Sequence, residues 1–279
     1  MAQDKYSATW VSHSSMGDFL KCPRAYYLHN VYKDPKTGRK INVVSPALAL
    51  GQAVHEVLEN LSNFKAEERM KECTLEKLDE AWKKVSGKKG GFKSEEEEAQ
   101  TKARAIEMIQ RVIDNPGIIL EKVVRLKQDL PNYFISEEEN IILCGKIDWL
   151  SYIPQDDSLH VLDFKTGKYD ENEESLQLPI YQLLLKNLQK RKVSGASYWY
   201  LDRDNKPVKV NLPSVEDAYA RVIDVARKVK AARDAKSFSC PRAAIDSSGC
   251  FACQPFEKIL RGDAYYVGVG EYNQDLYIV

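Results

Sequence analysis

No apolar run in this 279-residue sequence approaches the roughly 20 residues that a helical bilayer crossing needs, so a transmembrane helix is excluded. The opening MAQDKYSATW lacks a basic stretch followed by an apolar core, so no secretory signal is visible and a cytoplasmic location is expected. Net charge of either sign is missing too: 41 basic side chains balance 41 acidic ones, and any polyanion must be held by a local basic patch or by metal ions. Internal repeats, low-complexity linkers and a Walker A phosphate loop are absent, the last excluding an ATP-driven motor within this chain. Six cysteines are too few and too scattered for a disulfide framework in a chain without a secretory signal, which leaves free thiols or metal ligands. What remains is 43% hydrophobic, enough to bury a real core.

Periodicity divides that material. Ser12, Ser14 and Ser15 stand ahead of Phe19, Leu20, Tyr26 and Tyr27 as a capped amphipathic helix, kinked or split at Cys22-Pro23. Residues 45–64 carry Leu50, Val54, Val57, Leu58 and Leu61 at helical spacing and include His55. Residues 65–115 predict two helices around the turn at 87–91, with 95–98 as a solvated acidic first turn favoured by the helix dipole. Short runs rich in β-branched and aromatic residues then predict strands at 118–126, 133–135, 140–153 and 159–165. A helix over 175–188, strands at 196–201 and 207–212, a long helix over 215–235, a cysteine-bearing loop at 237–253 and a strand-like tail at 265–279 complete the chain. The order predicts an α/β fold, a central mixed sheet flanked by helices, in a single domain with four parts: 12–64, a helical insert at 65–116, a core at 117–236 and a cysteine-bearing end at 237–279.

Chemistry concentrates in Gly145-Lys146-Ile147-Asp148 and, fifteen residues after Asp148, in Asp163-Phe164-Lys165-Thr166-Gly167-Lys168. On a strand Asp163 and Lys165 leave the same face while Phe164 turns into the core. With Asp148 closing the neighbouring strand, two carboxylates would form an oxygen site suited to Mg²⁺ or Mn²⁺, with coordination positions open for water and phosphate. A lysine beside such a site can orient the attacking water and stabilise charge building on the phosphate. A bare Asp-x-Lys is common by chance, so the neighbouring motifs decide its weight.

Five segments in order resemble the RecB-like branch of the PD-(D/E)XK nuclease superfamily: the serine-led, Cys-Pro-containing 12–27, Gly51-Gln52-Ala53-Val54-His55, Gly145 to Asp148, Asp163 to Lys168, and Gln177-Leu178-Pro179-Ile180-Tyr181. The resemblance implies a restriction-endonuclease-like core and a metal-dependent DNA nuclease, an exonuclease acting in recombination, repair or the processing of phage or mobile-element DNA. His55, Asp148, Asp163 and the Phe164 carbonyl would ligate the catalytic metal, Lys165 would act on the nucleophilic water, and Gln177 and Tyr181 would contact DNA near the scissile phosphate. DNA is the implied substrate, with a helicase, integrase or recombinase as a possible partner. Two further roles are compatible with the same motifs: a CRISPR-adaptation-type nuclease trimming spacer precursors, and a non-catalytic DNA-binding or assembly module.

Relatives of the AddB type hold an iron–sulfur cluster with one cysteine in the first helical segment and three near the C-terminus. Cys22 and the Cys250-x-x-Cys253 pair match three of these positions; the fourth falls on Ile259, and Cys240 is the candidate replacement. Four thiolates would suit [4Fe–4S] or a tetrahedral zinc ion, and buried free thiols are the alternative. Cys73 and Cys144 read as packing residues. Basic residues at 83–93, Arg104, Arg111, 186–192 and 221–233 are candidates for a DNA path, most of them solvated surface, and Tyr198, Trp199 and Tyr200 read as core on a strand.

Overall fold

The computed structural model describes residues 5–242 and 249–279; the first four residues of the segment read for a targeting signal, and 243–248 of the cysteine-bearing loop, lie outside them. Strand β1 (Thr9–Val11) leads into α1 (His13–Lys21), capped by Ser12, whose hydroxyl accepts from the Ser15 amide while Ser15 reaches back to the Ser12 amide. Cys22-Pro23 does split this helix: α2 (Pro23–Tyr26) follows at once and widens into a π turn over Tyr27–Val31. Then come β2 (Lys40–Val43) and α3 (Pro46–Asn60), the latter with Ser45 as N-cap and Pro46 in its first turn.

The insert contributes α4 (Ala66–Glu72), α5 (Leu75–Val85) and α6 (Glu95–Asp114), one helix more than periodicity predicts, and 87–90 forms a short 3-10 turn. Beyond it lie β3 (Asn132–Ser136), β4 (Ile141–Cys144), β5 (Trp149–Ile153), β6 (Ser158–Lys165), α7 (Gln177–Leu188), β7 (Val193–Tyr200), β8 (Val208–Val210) and α8 (Val215–Asp234). Helix α9 (Gln254–Arg261) and the hairpin β9 (Tyr265–Val269) and β10 (Gln274–Ile278) end the chain.

Hydrogen bonding divides the strands into three ladders, β5-β6-β7-β8, β1-β4-β3 and β2-β10-β9, each mixing parallel and antiparallel pairs. The unit β6-α7-β7 is a parallel pair joined by a helical crossover, which buries β6 on both faces. One face packs Val161, Tyr198 and Tyr200 with α7 and α8, and the other packs Leu162, Phe164, Trp149 and Trp199 with α3, α5 and α6. The three aromatic residues expected in the core at 198–200 are all buried there.

Two expected strands are corrected. Residues 140–153 are not continuous: Gly145 to Asp148 leave the ladder, the Gly145 amide donates to the Pro131 carbonyl, and Asp148 precedes β5 instead of closing the strand before it. Residues 118–126 form a 3-10 turn at 117–120 and a single bridge between Val123 and Ser151. Arg69 explains the second case. Only 4% exposed, it donates to the carbonyls of Phe64, Ile119 and Glu121 and lies over the Trp149 ring, so side-chain bonds take the place of a ladder. Arg69→Met keeps the volume but strands three carbonyls; a loss of about 3 kcal/mol is expected from denaturant unfolding. A loss under about 0.5 kcal/mol would show that water replaces the guanidinium there.

Candidate active site

Helix α3 lies close against the end of β6 at Gly51: a Cβ there would lie 3.3 Å from Thr166 Oγ1, just past Lys165, a tight contact. One turn after Gly51, the His55 ring reaches Asp148, Nδ1 lying 3.4 Å from Asp148 Oδ2 and 3.3 Å from Glu59 Oε1. Asp148 is fixed from β6 as well, since its Oδ2 accepts the Phe164 amide at 3.0 Å. The Phe164 ring packs edge-on to His55 and against Trp149 and Trp199, which pins this stretch of β6.

Asp163 sits on the opposite face of the strand, 1% exposed. Its Oδ1 accepts from Gln177 Nε2 at 2.7 Å and from the Tyr181 hydroxyl at 3.1 Å. Gln177 and Tyr181 are one turn apart on α7, and both face Asp163, Tyr181 at 4% exposure. The second oxygen, Oδ2, is buried and meets the Lys165 ammonium at 2.9 Å. Lys165 also meets Glu171 Oε2 at 2.7 Å and Gln177 Oε1, with its ammonium over the Tyr198 ring.

The structure therefore brings His55, Asp148, Asp163, Lys165, Gln177 and Tyr181 to one end of β6, in two linked groups. His55, Glu59 and Asp148 offer ligand atoms within 4.8 Å of one another, a set that Asp163 does not join. Burial and then the neighbouring Asp163 push the Asp148 carboxyl up to about 7, against the pull of His55. Burial lowers the imidazole of His55, but Glu59 and Asp148 outweigh it and hold it above its ordinary value. Both shifts mark crowded negative charge, and one imidazole among buried carboxylates is a donor set that fits a divalent cation. A cleft of about 640 Å³ opens beside it, lined by Glu59, Lys84, Arg125, Lys146 and Asp148.

Sequence reasoning missed two residues. Glu59, four after His55 on α3, joins the carboxylate group and pairs with Lys146; the helical spacing was the available signal. Glu171 anchors Lys165 from an irregular loop whose sequence carries no periodic signal.

Cys22, Cys240, Cys250 and Cys253 form a separate buried group with all four sulfurs within 4.8 Å, and no disulfide joins any described cysteine. Cys240 does take a place in the set. The Cys250 and Cys253 sulfurs are 3.8 Å apart, and Gly249 makes that approach possible: its φ is +88°, and a Cβ there would lie 2.6 Å from Cys253 Sγ. Burial raises the Cys250 thiol, yet the amides of Cys253 and Ala252 outweigh it and bring it down to about 7, while burial pushes Cys22 up to about 11. Cys73 and Cys144 are buried apart from this group.

Among the described residues no helix is long and apolar enough to cross a membrane. A comparison with curated proteins returns no match. The family model described as the PD-(D/E)XK nuclease superfamily matches residues 10–255, a span holding every residue of the carboxylate centre and all four clustered cysteines. That span, over a mixed-sheet α/β core of the restriction-endonuclease-like kind, places the chain in the PD-(D/E)XK nuclease superfamily.

Proposed function

We propose that the chain is a divalent-metal-dependent deoxyribonuclease of the RecB-like branch that digests DNA from its ends. The carrying observation is the buried Asp163, paired with Lys165 at 2.9 Å and close enough to Asp148 that its charge helps to hold the Asp148 carboxyl above its ordinary range. By the resemblance Asp148, Asp163, His55 and the Phe164 carbonyl would hold the ion; Glu59, which clusters with His55 and Asp148, is an added candidate ligand. When bound, a divalent ion supplies Lewis acidity to the phosphate and makes a water nucleophilic near neutral pH.

The chain's own groups do the rest. Gln177 and Tyr181 hold Asp163 Oδ1 and so turn Oδ2 toward Lys165, a positioning role besides the DNA contact that the resemblance implies. Lys165, held by Asp163 and Glu171, places a positive charge where the attacked phosphate gains negative charge and can orient the attacking water. Lys84, Arg125 and Lys146 line the adjoining cleft, where phosphates of the strand would lie.

The thiol group is read as a structural metal centre. The resemblance favours [4Fe–4S], whereas the 3.8 Å sulfur spacing is the edge of a tetrahedron with about 2.3 Å metal–sulfur bonds, which favours a single zinc ion. An iron–sulfur occupant would favour a second biological setting, the trimming of spacer precursors beside an integrase.

The test is cleavage of end-labelled linear and closed circular DNA, single- and double-stranded, by purified protein. Digestion of linear substrates with Mg²⁺ or Mn²⁺ is expected, with a loss of at least about 10³-fold on chelation and recovery when the ion is returned. Cleavage that survives chelation removes the metal assignment, and nicking of circles removes end dependence.

A further inference from the structure

A second cavity, about 720 Å³, opens between α2 with its π turn and the C-terminal end of α8. Arg24, Arg233 and Lys236 line it, and no acidic side chain does so among the described residues. None of its lining residues belongs to the carboxylate centre. Its wall is aromatic: Tyr27 and Phe238 stack with ring centroids 5.0 Å apart, and the Arg24 guanidinium lies over Tyr27. Arg24 is already paired, with Glu257 at 2.7 Å; Arg233 donates to the Tyr26 hydroxyl at 3.2 Å, and neither it nor Lys236 makes a salt bridge among the described residues. The positive charge extends beyond the rim. The Lys40 amine is held below the usual lysine range by partial desolvation and then by the like charges of Lys33 and Arg233.

In a chain whose 41 basic and 41 acidic residues cancel, a cavity bordered by unopposed cations is a local exception that an anion would relieve. Flat aromatic side chains beside those cations suit a planar base attached to a phosphate, which is how sequence-tolerant single-strand surfaces are built. A free phosphate would use the cations alone and leave the aromatic wall without a role.

We infer that this cavity is a second polynucleotide-binding site, in which Arg233 and Lys236 take backbone phosphates of a single strand and Tyr27 and Phe238 carry a base. The choice of a polynucleotide as occupant rests on the nuclease reading. A strand held both here and at the carboxylate centre would be retained between cleavage events by two attachments.

The test measures binding of a fluorescein-labelled single-stranded DNA oligonucleotide to the full-length protein, without divalent ions, across a salt series. Arg233→Gln with Lys236→Gln is expected to weaken binding about tenfold at 0.1 M salt and to lower the slope of log affinity against log salt by about 2. Lys236→Gln alone changes an exposed side chain, keeps the fold, and should lower the slope by about 1. Phe238→Ala should weaken the oligonucleotide while leaving the salt slope unchanged. Unaltered affinity and slope in both glutamine variants overturn the inference. So does complete displacement of the oligonucleotide by an equal concentration of inorganic phosphate, which would mark a small-anion site. If binding responds as expected but no divalent-dependent cleavage exists, the cavity stands and the nuclease reading falls. If cleavage exists and binding does not respond, the reverse holds.

Discussion

Asp163→Asn is expected to lower divalent-dependent cleavage by at least about 10³-fold while leaving a folded protein. Asparagine keeps the volume of a side chain that is 1% exposed, and its carbonyl oxygen can still accept from Gln177 and Tyr181. The amide group must then stand where Oδ2 stood, setting a donor against the Lys165 ammonium that now meets Oδ2 at 2.9 Å. Lys165 keeps its Glu171 partner at 2.7 Å, so the loss is not a general collapse of the loop. What disappears is a negative oxygen facing the cation position. Without divalent ions the variant should melt close to the wild type, because removing Asp163 also relieves its repulsion of Asp148. With Mg²⁺ the wild type should gain stability and the variant should not, since only an ion that binds the native state stabilises it. Single-turnover cleavage and paired melts with and without Mg²⁺ check this. Cleavage within tenfold of the wild type would mean that Asp163 is a buried structural carboxylate.

The parts of this centre legible in the sequence are those set by short periods. Alternation by two puts Asp163 and Lys165 on one face of β6 and turns Phe164 to the other, as the ion pair and the aromatic packing show. A spacing of four brings Gln177 and Tyr181 together on α7. Contacts between distant elements carry no such signal. Glu59 has the helical spacing from His55, but its role depends on Lys146 arriving from the segment that leaves the ladder after β4. Residues 118–126 look like a strand by composition, yet Arg69, about fifty positions earlier, binds the Ile119 and Glu121 carbonyls and removes them from ladder bonding. The break between β4 and β5 is likewise silent in composition: the Gly145 amide adds one more bond to Pro131 beside β3, and the chain then leaves for a different ladder.

Cys253→Ser is expected to abolish metal binding at the proposed thiol centre and, with it, to lower stability by about 3 kcal/mol or more. The size follows from topology. Cys22 lies at the junction of α1 and α2, whereas Cys250 and Cys253 immediately precede α9, so a shared ion would close a loop spanning most of the chain. Two further contacts draw the same ends together, the Arg24–Glu257 pair and the parallel pairing of β2 with β10, so metal loss should loosen this end without unfolding the carboxylate centre. Serine is nearly isosteric and its own packing cost is small, which makes the wild type stripped by a strong chelator the proper comparison: its melting point should fall to that of the variant. Elemental analysis decides the occupant, one zinc per chain for the spacing argument or about four iron atoms with visible thiolate-to-iron absorbance for the cluster. Wild-type protein that carries neither, and melts with the variant, would reduce the four cysteines to a small apolar core. The cation-lined cavity depends on the same closure, because Phe238 lies two residues before Cys240 and Arg24 two after Cys22. Loss of the metal should therefore weaken oligonucleotide binding even though no cysteine lines the cavity, and binding that is indifferent to the metal would show that the aromatic wall holds its shape by packing alone.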